Sequence, residues 1–143
     1  MVFIGFGFLM CFLKSHNWSS IGYNYLVAAW AIQIEILWSH FWDQVTKYYH
    51  NPEHSFQRLN LDTSVFLNAD FGAASVLITM GAIVGKCSLY QLFIVANINI
   101  FFYALNKNII INVFNASDVG GSMTIHVFGA FCGVVTTWFY KPK

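Results

Sequence analysis

The sequence predicts an all-α membrane protein with about five transmembrane helices. Of its 143 residues, 57% are hydrophobic and only 9% are charged. Soluble globular proteins carry roughly 25% charged residues, so this composition is typical of a chain that lies in a bilayer. The formal net charge of +1 provides no broad basic surface. Nucleic acid is therefore not predicted as a partner.

The helices are predicted from five apolar segments, at residues 1–13, 23–42, 66–85, 89–105 and 120–140. A helix needs about 20 residues to cross the hydrocarbon of a bilayer. The first segment is too short, and we interpret it as the remainder of a span. It does not resemble a signal peptide, because no basic stretch precedes it and no small-residue cleavage site follows it. Backbone groups in lipid must be satisfied within the segment, which favours α-helices throughout.

The last apolar segment contains a polar and small-residue stripe. At α-helical spacing, Ser122, His126, Gly129 and Gly133 would share one face. Ionisable residues inside membrane spans usually mark a transport path, which favours a functional His126. The alternative is a histidine that only forms a hydrogen bond between helices. The two glycines could line a path or simply allow two helices to pack closely.

Asp118 precedes this segment and is predicted to cap its helix. An acidic side chain at this position accepts hydrogen bonds from the first backbone N–H groups and faces the positive end of the helix dipole. We expect the donors to be Gly120 and Gly121, whose missing side chains would leave the end of the helix open. Two interpretations remain, a structural cap alone or a cap that also helps to form a cation site.

One stretch has the spacing of a metal site. His50, Glu53 and His54 match the H-x-x-E-H pattern of some zinc enzymes. Pro52 lies between the two histidines and should break the helix that would hold both on one side. We therefore predict no metal, no cofactor and no catalytic residue, and the protein is not expected to be an enzyme.

Four stretches, MVFIGFGFLMCFL, NADFGAAS, GAIVGK and DVGGSMTIHVFGAFCG, resemble the Rh glycoprotein branch of the ammonium transporter (Amt/Rh) superfamily. The resemblance implies a trimeric channel of eleven or twelve spans, with a pore in each subunit between two inverted five-helix repeats. Residues 1–143 would then form a partial transmembrane domain, the first repeat and thus one half of the inverted-repeat fold.

The resemblance also implies roles for single residues. Phe71 corresponds to one of two stacked phenylalanines at the outer mouth of the pore, Asp118 to the acid at the start of the fifth helix, and His126 to the first of two pore histidines. Ser122 and Gly129 would be small residues of the pore face. Ammonium would lose its proton on entering the dry pore, and neutral ammonia would pass the histidines.

The second phenylalanine, the second histidine and the opposing repeat are not in the sequence, so we expect a fragment that cannot enclose a pore alone. The alternative is a truncated, non-transporting Rh-like subunit that associates with full-length subunits. The expected partners are ammonium or ammonia, the lipid bilayer, and Rh-type subunits in a homotrimer or hetero-oligomer. The expected location is the plasma membrane.

Two charged residues, Glu35 within the second apolar segment and Lys107 just after the fourth, are not explained by the helix pattern. Glu35 is either functional or a residue that approaches the membrane interface, and the sequence does not identify a partner for it. Lys107 stands where Rh relatives often carry an acid. Its positive charge is expected to oppose the access of ammonium to the pore.

Overall fold

The computed structural model of the protein describes residues 1–11 and 18–140, and in these ranges the regular structure is helical. The helices are α1 (Val2–Cys11), α2 (Trp18–His50), α3 (Thr63–Ile83), α4 (Leu89–Asn108) and α5 (Phe128–Phe139), with a π-helical segment Ile109–Val113 after α4 and another, Ser122–Val127, before α5. The predicted all-α class and five helical segments are confirmed. Residues 12 and 13 of the first predicted segment lie outside the described residues.

Local sequence explains where several helices begin and end. α2 ends at His50, two residues before Pro52, as the proline predicts. At the start of α3, the Asp62 carboxylate accepts a hydrogen bond of 2.9 Å from the backbone N–H of Val65. At the start of α4, Ser88 and Gln91 exchange side-chain and backbone hydrogen bonds in a capping box.

Three helices in the described part are long and apolar enough to cross a membrane: α3, α4 together with its π-helical extension, and the Ser122–Phe139 helix. The predicted span at residues 23–42 lies inside α2 but does not reach the same apolarity, because it contains Asn24, Gln33 and Glu35. Two of these polar side chains are buried inside the bundle, since Asn24 is 0% and Glu35 is 1% exposed. The side chains of Asn24 and Glu35 on α2 therefore face the interior of the bundle, away from any surrounding lipid.

α3 forms the centre of the bundle. Its buried positions are dominated by small residues such as Ala69, Gly72 and Ala73, which let neighbouring helices approach closely. α2 and α4 run antiparallel to α3, and α5 runs parallel to it. The end of α2, the start of α3, the end of α4 and the start of the Ser122–Phe139 helix consequently lie at the same end of the bundle.

A hydrogen-bond chain ties three helices together in this core. The side-chain amide of Asn99 on α4 donates to the hydroxyl of Thr79 on α3 at 2.8 Å. That hydroxyl in turn donates to the backbone carbonyl of Gly129 on α5 at 2.9 Å. Because all three groups are buried, these hydrogen bonds fix the positions of α3, α4 and α5 relative to one another along the helix axes.

Candidate functional site

Asp118 lies at the centre of a dense hydrogen-bonding turn. Its carboxylate accepts from the backbone N–H groups of Met123 at 3.2 Å and Thr124 at 2.8 Å. It also accepts from the hydroxyls of Ser122 at 2.9 Å and Thr124 at 2.7 Å. The prediction that Asp118 caps this helix is confirmed, and the side chain also binds two hydroxyl groups of the first turn.

The prediction that the backbone N–H groups of Gly120 and Gly121 donate to Asp118 was wrong. Both glycines have a positive φ, +87° and +70°, and form a tight left-handed turn between Asp118 and the helix. The turn moves the start of the helix further along the chain, so the N–H groups that reach the carboxylate belong to Met123 and Thr124. A side chain at Gly121 would also collide with Ile125.

The hydrogen bonds change the acidity of Asp118. Partial burial is the largest single influence and raises its pKa, but the hydrogen bonds from Thr124, Met123 and Ser122 together outweigh burial and lower the pKa to about 2. The carboxylate is therefore ionised at any pH at which the helix is expected to work. Its negative charge faces the positive end of the helix dipole.

We expect this turn to give the protein an acid-sensitive stability. The pKa of about 2 in the folded state lies below the ordinary value of 3.8. The stabilisation is therefore complete above the unfolded pKa and is lost as the pH falls through 2, with a total of at most about 1 kcal/mol because solvent screens this side chain. Between pH 5 and pH 2, the free energy of unfolding of the wild type should fall more steeply than that of Asp118→Asn. Parallel pH profiles of the two proteins in equilibrium unfolding would contradict this assignment.

His126 lies in the π-helical segment that follows this turn. Its backbone N–H donates to the carbonyl of Gly121, five residues earlier, at 3.1 Å. Its imidazole is exposed, next to the exposed Val127, and has no hydrogen-bond partner among the residues that the structure describes. π-helical turns are frequent at functional sites because they alter the direction in which side chains point.

The four residues predicted to share a face are divided between two environments. Ser122 and His126 are exposed, whereas Gly129 and Gly133 are buried against α3. A Cβ atom on Gly129 would lie 2.8 Å from the carbonyl oxygen of Ser75. The α-helical spacing fails here because the segment before α5 has π-helical hydrogen bonds. The pore-face roles of Ser122 and Gly129 stay predictions; in the structure Ser122 binds Asp118 and Gly129 packs on α3.

Phe71 projects from α3, and 44% of its surface is exposed. In the described part of the chain, no ring contact or hydrogen bond joins it to Asp118 or His126. The pore roles of Phe71, Asp118 and His126 stay predictions. Phe71 is followed directly by Gly72, which faces a second polar site in the interior.

That second site is a buried ion pair that the sequence did not reveal. Glu35 on α2 is 1% exposed, and its carboxylate accepts a hydrogen bond from the ammonium group of Lys107 at 3.1 Å. The hydroxyl of Ser39 donates to the same carboxylate oxygen and lies 3.3 Å from the Lys107 nitrogen. The Lys107 nitrogen also lies 5.9 Å from the centre of the Tyr103 ring. The charge of Lys107 is thus compensated within the bundle.

Gly72 makes room for the ion pair. A Cβ atom at this position would lie 2.5 Å from Cγ of Glu35 and 3.1 Å from the ring of Tyr103. The glycine of the NADFG stretch is therefore explained by close approach to Glu35. A negative charge in the second apolar segment and a positive charge just after the fourth were the only sequence signal of the pair, and they stand 72 residues apart.

A cavity of about 360 Å³ adjoins the ion pair at the end of the bundle where α2 ends and α3 begins. Ser39 and Lys107 form part of its wall, together with polar and charged residues that include His40, Asp43, Lys47, Arg58 and Asn108. Asp43 and Lys47 form an exposed ion pair of 2.6 Å. The cavity gives water and small ions a route toward the Lys107 ammonium.

The two histidines of the H-x-x-E-H pattern lie in different surroundings. His50 ends α2, and its Nδ1 lies 2.9 Å from the carbonyl oxygen of Thr46. His54 lies in the following loop, where its Nε2 is 3.1 Å from the side-chain oxygen of Gln44. No group of three or more metal-binding side chains occurs among the described residues.

Comparison with known proteins shows the family of this chain. The sequence model described as the Ammonium Transporter Family matches residues 1–143. The chain is 39% identical over 144 residues to Ammonium transporter Rh type B of Danio rerio, covering 100% of this chain and 29% of that protein. It is 38% identical over 143 residues to Ammonium transporter Rh type C of Canis lupus familiaris, covering 99% of this chain and 29% of that protein. The chain thus spans less than a third of the length of these relatives, and it belongs to the ammonium transporter family.

Proposed function

We propose that the protein carrying this sequence conducts ammonia across the plasma membrane through a histidine-lined pore. The observation that supports this function best is the position of His126. Its imidazole is exposed on a helix that is long and apolar enough to span a membrane, and its neighbours Val127 and Phe131 are exposed as well. An imidazole facing lipid would be costly, so this face requires a polar or protein-covered surrounding.

The chemistry of the pore follows from desolvation. An ammonium ion that enters a dry passage loses its hydration shell, which disfavours the charged form as burial does for a lysine. Phe71 would help to exclude water at the mouth. A neutral imidazole at His126 would offer ammonia one hydrogen-bond donor or acceptor, depending on its tautomer. The protein would select its substrate by pore lining and desolvation, without covalent chemistry.

Asp118 would support this pore indirectly. Its carboxylate is occupied by four different donor groups of the first helical turn. A carboxylate held in this way orders the π-helical segment that carries His126, while its charge still contributes to the local potential. We therefore assign Asp118 a positioning role and no direct contact with the transported molecule.

The remaining surface of the pore would come from outside these residues. We propose that residues 1–143 form a partial transmembrane domain and that an opposing repeat covers His126. The α4–α5 surface also carries an apolar groove of about 530 Å³ that includes Ile98, Phe128 and Phe131. An apolar groove of this size is suited to being covered by another part of the same subunit or by a neighbouring subunit of a trimer.

Ammonia flux into liposomes tests this proposal. The native gene product should conduct ammonia in a stopped-flow pH assay, and His126→Ala should reduce the protein-dependent rate by at least about tenfold. His50→Ala is the matched control, because His50 lies at the end of α2 and outside the proposed pore. A His126→Ala protein that is folded and conducts like the wild type would overturn the pore assignment.

The 143-residue polypeptide alone provides a second arm. It should give the rate of empty liposomes, because it contributes only one side of the proposed pore. Flux through this polypeptide that disappears in His126→Ala would contradict the need for an opposing repeat. If the native gene product itself proves inactive but co-purifies with a full-length Rh-type subunit, the non-transporting subunit would be the better description.

A further inference from the structure

The surroundings of the Lys107 nitrogen have the composition of a binding site for an ammonium group. A buried carboxylate oxygen of Glu35 lies 3.1 Å away, and the hydroxyl of Ser39 lies 3.3 Å away. The ring of Tyr103, which is 1% exposed, lies within cation–π distance at 5.9 Å. Carboxylate and hydroxyl oxygens with an aromatic face are the groups that a small organic cation requires once it leaves water.

The ligand in this site is part of the protein. The side chain of Lys107 ends in a primary alkylammonium group. Its four-carbon stem limits how far this group can move away from Glu35. An intramolecular ligand on a short flexible stem has an effective concentration in the millimolar range or above. A free cation at lower concentration therefore competes poorly for Glu35.

The fold also supplies access to the site. Lys107 and Ser39 both line the cavity of about 360 Å³. A water-sized molecule occupies about 30 Å³, so a small cation has ample room to reach the carboxylate if the lysine side chain is removed. The other charges of the wall are Arg58, which bears a positive charge, and the Asp43–Lys47 pair. Glu35 does not line the cavity itself but lies directly behind Ser39 and Lys107, so a cation that takes the place of the lysine side chain would meet the Glu35 carboxylate.

We propose that Glu35, Ser39 and Tyr103 form a binding site for a primary ammonium group, and that Lys107 occupies it as an internal cation. In the wild type the site is blocked by its own chain. Shortening Lys107 frees a site for small alkylammonium ions. The significance for transport rests on the proposed ammonia channel, but the site itself is defined by binding and not by flux.

Chemical rescue tests the site directly. The native gene product with Lys107→Ala is purified in nanodiscs, and its melting temperature is measured with increasing methylammonium chloride or with sodium chloride at equal ionic strength. At ten times the dissociation constant, methylammonium should raise the melting temperature by about 3 to 8 °C beyond the effect of sodium. The wild type should show no such difference, because Lys107 fills the site.

Two variants serve as controls. Glu35→Gln/Lys107→Ala lacks the carboxylate and should not respond to methylammonium. Lys47→Ala removes a lysine from an exposed ion pair, whose side chains are 50% and 38% exposed, and should also not respond. An equal response in either control would show a general salt effect and would overturn the proposal.

The test also covers a variant that is hard to fold. If Lys107→Ala is not recovered in sodium chloride, recovery of folded protein in methylammonium is the expected rescue. Failure in both salts, or equal stability in both, overturns the proposal. Because no arm measures flux, an inactive channel with a methylammonium-stabilised Lys107→Ala protein would refute only the proposed function.

Discussion

Lys107→Met should destabilise the protein by about 3 to 5 kcal/mol, the range found when one partner of a buried ion pair is removed. Methionine keeps much of the volume of the lysine stem but cannot donate to Glu35, whose side chain is 1% exposed. The carboxylate is then left buried with Ser39 as its remaining hydrogen-bond donor in the described part. Equilibrium unfolding of the purified protein in mixed micelles would measure the loss.

Two comparisons separate the ion pair from other effects of this substitution. Glu35→Gln/Lys107→Met removes both charges and should recover most of the lost stability, since replacing a whole buried pair is often close to neutral. Lys47→Met breaks the exposed pair with Asp43 and should cost no more than about 1 kcal/mol. If the double variant is as unstable as Lys107→Met, the loss comes from packing rather than from the unpaired carboxylate.

Gly72→Ala should destabilise the protein by about 2 to 4 kcal/mol, although alanine is ordinarily the better residue within a helix. The added methyl group would lie 2.5 Å from Cγ of Glu35 and 3.1 Å from the ring of Tyr103. Neither neighbour can move freely, because Glu35 is held by Lys107 and Tyr103 is buried against Phe128. The helices α2, α3 and α4 would therefore have to separate.

Gly81→Ala is the matched control on the same helix. A Cβ atom at Gly81 would meet only Cε of Met10, at 3.9 Å, which is ordinary contact. This substitution should stabilise α3 by up to about 1 kcal/mol, because alanine loses less backbone entropy than glycine. Thermal unfolding of both variants checks the opposite signs. Equal effects at the two positions would mean that Gly72 is not under steric constraint.

The course of the chain was largely predictable from local signals. The apolar segments at residues 66–85, 89–105 and 120–140 correspond to helices long and apolar enough to span a membrane. Pro52 correctly predicted the end of α2. The length of α2 was underestimated, since it runs from Trp18 to His50, because hydropathy alone does not show that a helix continues beyond its apolar part.

The sites were less predictable because they depend on distant contacts and on backbone geometry. Glu35 and Lys107 become partners only when α2 and α4 pack side by side, and no local pattern indicates that packing. At Asp118 the cap was predictable, but its donors were not, since they depend on the positive φ of Gly120 and Gly121. The resemblance to a family supplied roles for Phe71 and His126, which remain predictions.

The π-helical segment Ser122–Val127 bears on how this region tolerates insertions and deletions. A π-helical turn is equivalent to an α-helical turn with one additional residue. Loss of one residue within the segment would restore α-helical hydrogen bonds and rotate the preceding residues by about 100° relative to α5. Gly129 would stay packed on α3, while the residues before the deletion would face a different direction. The register of this short segment, more than its composition, thus fixes the side of the helix on which its side chains are displayed.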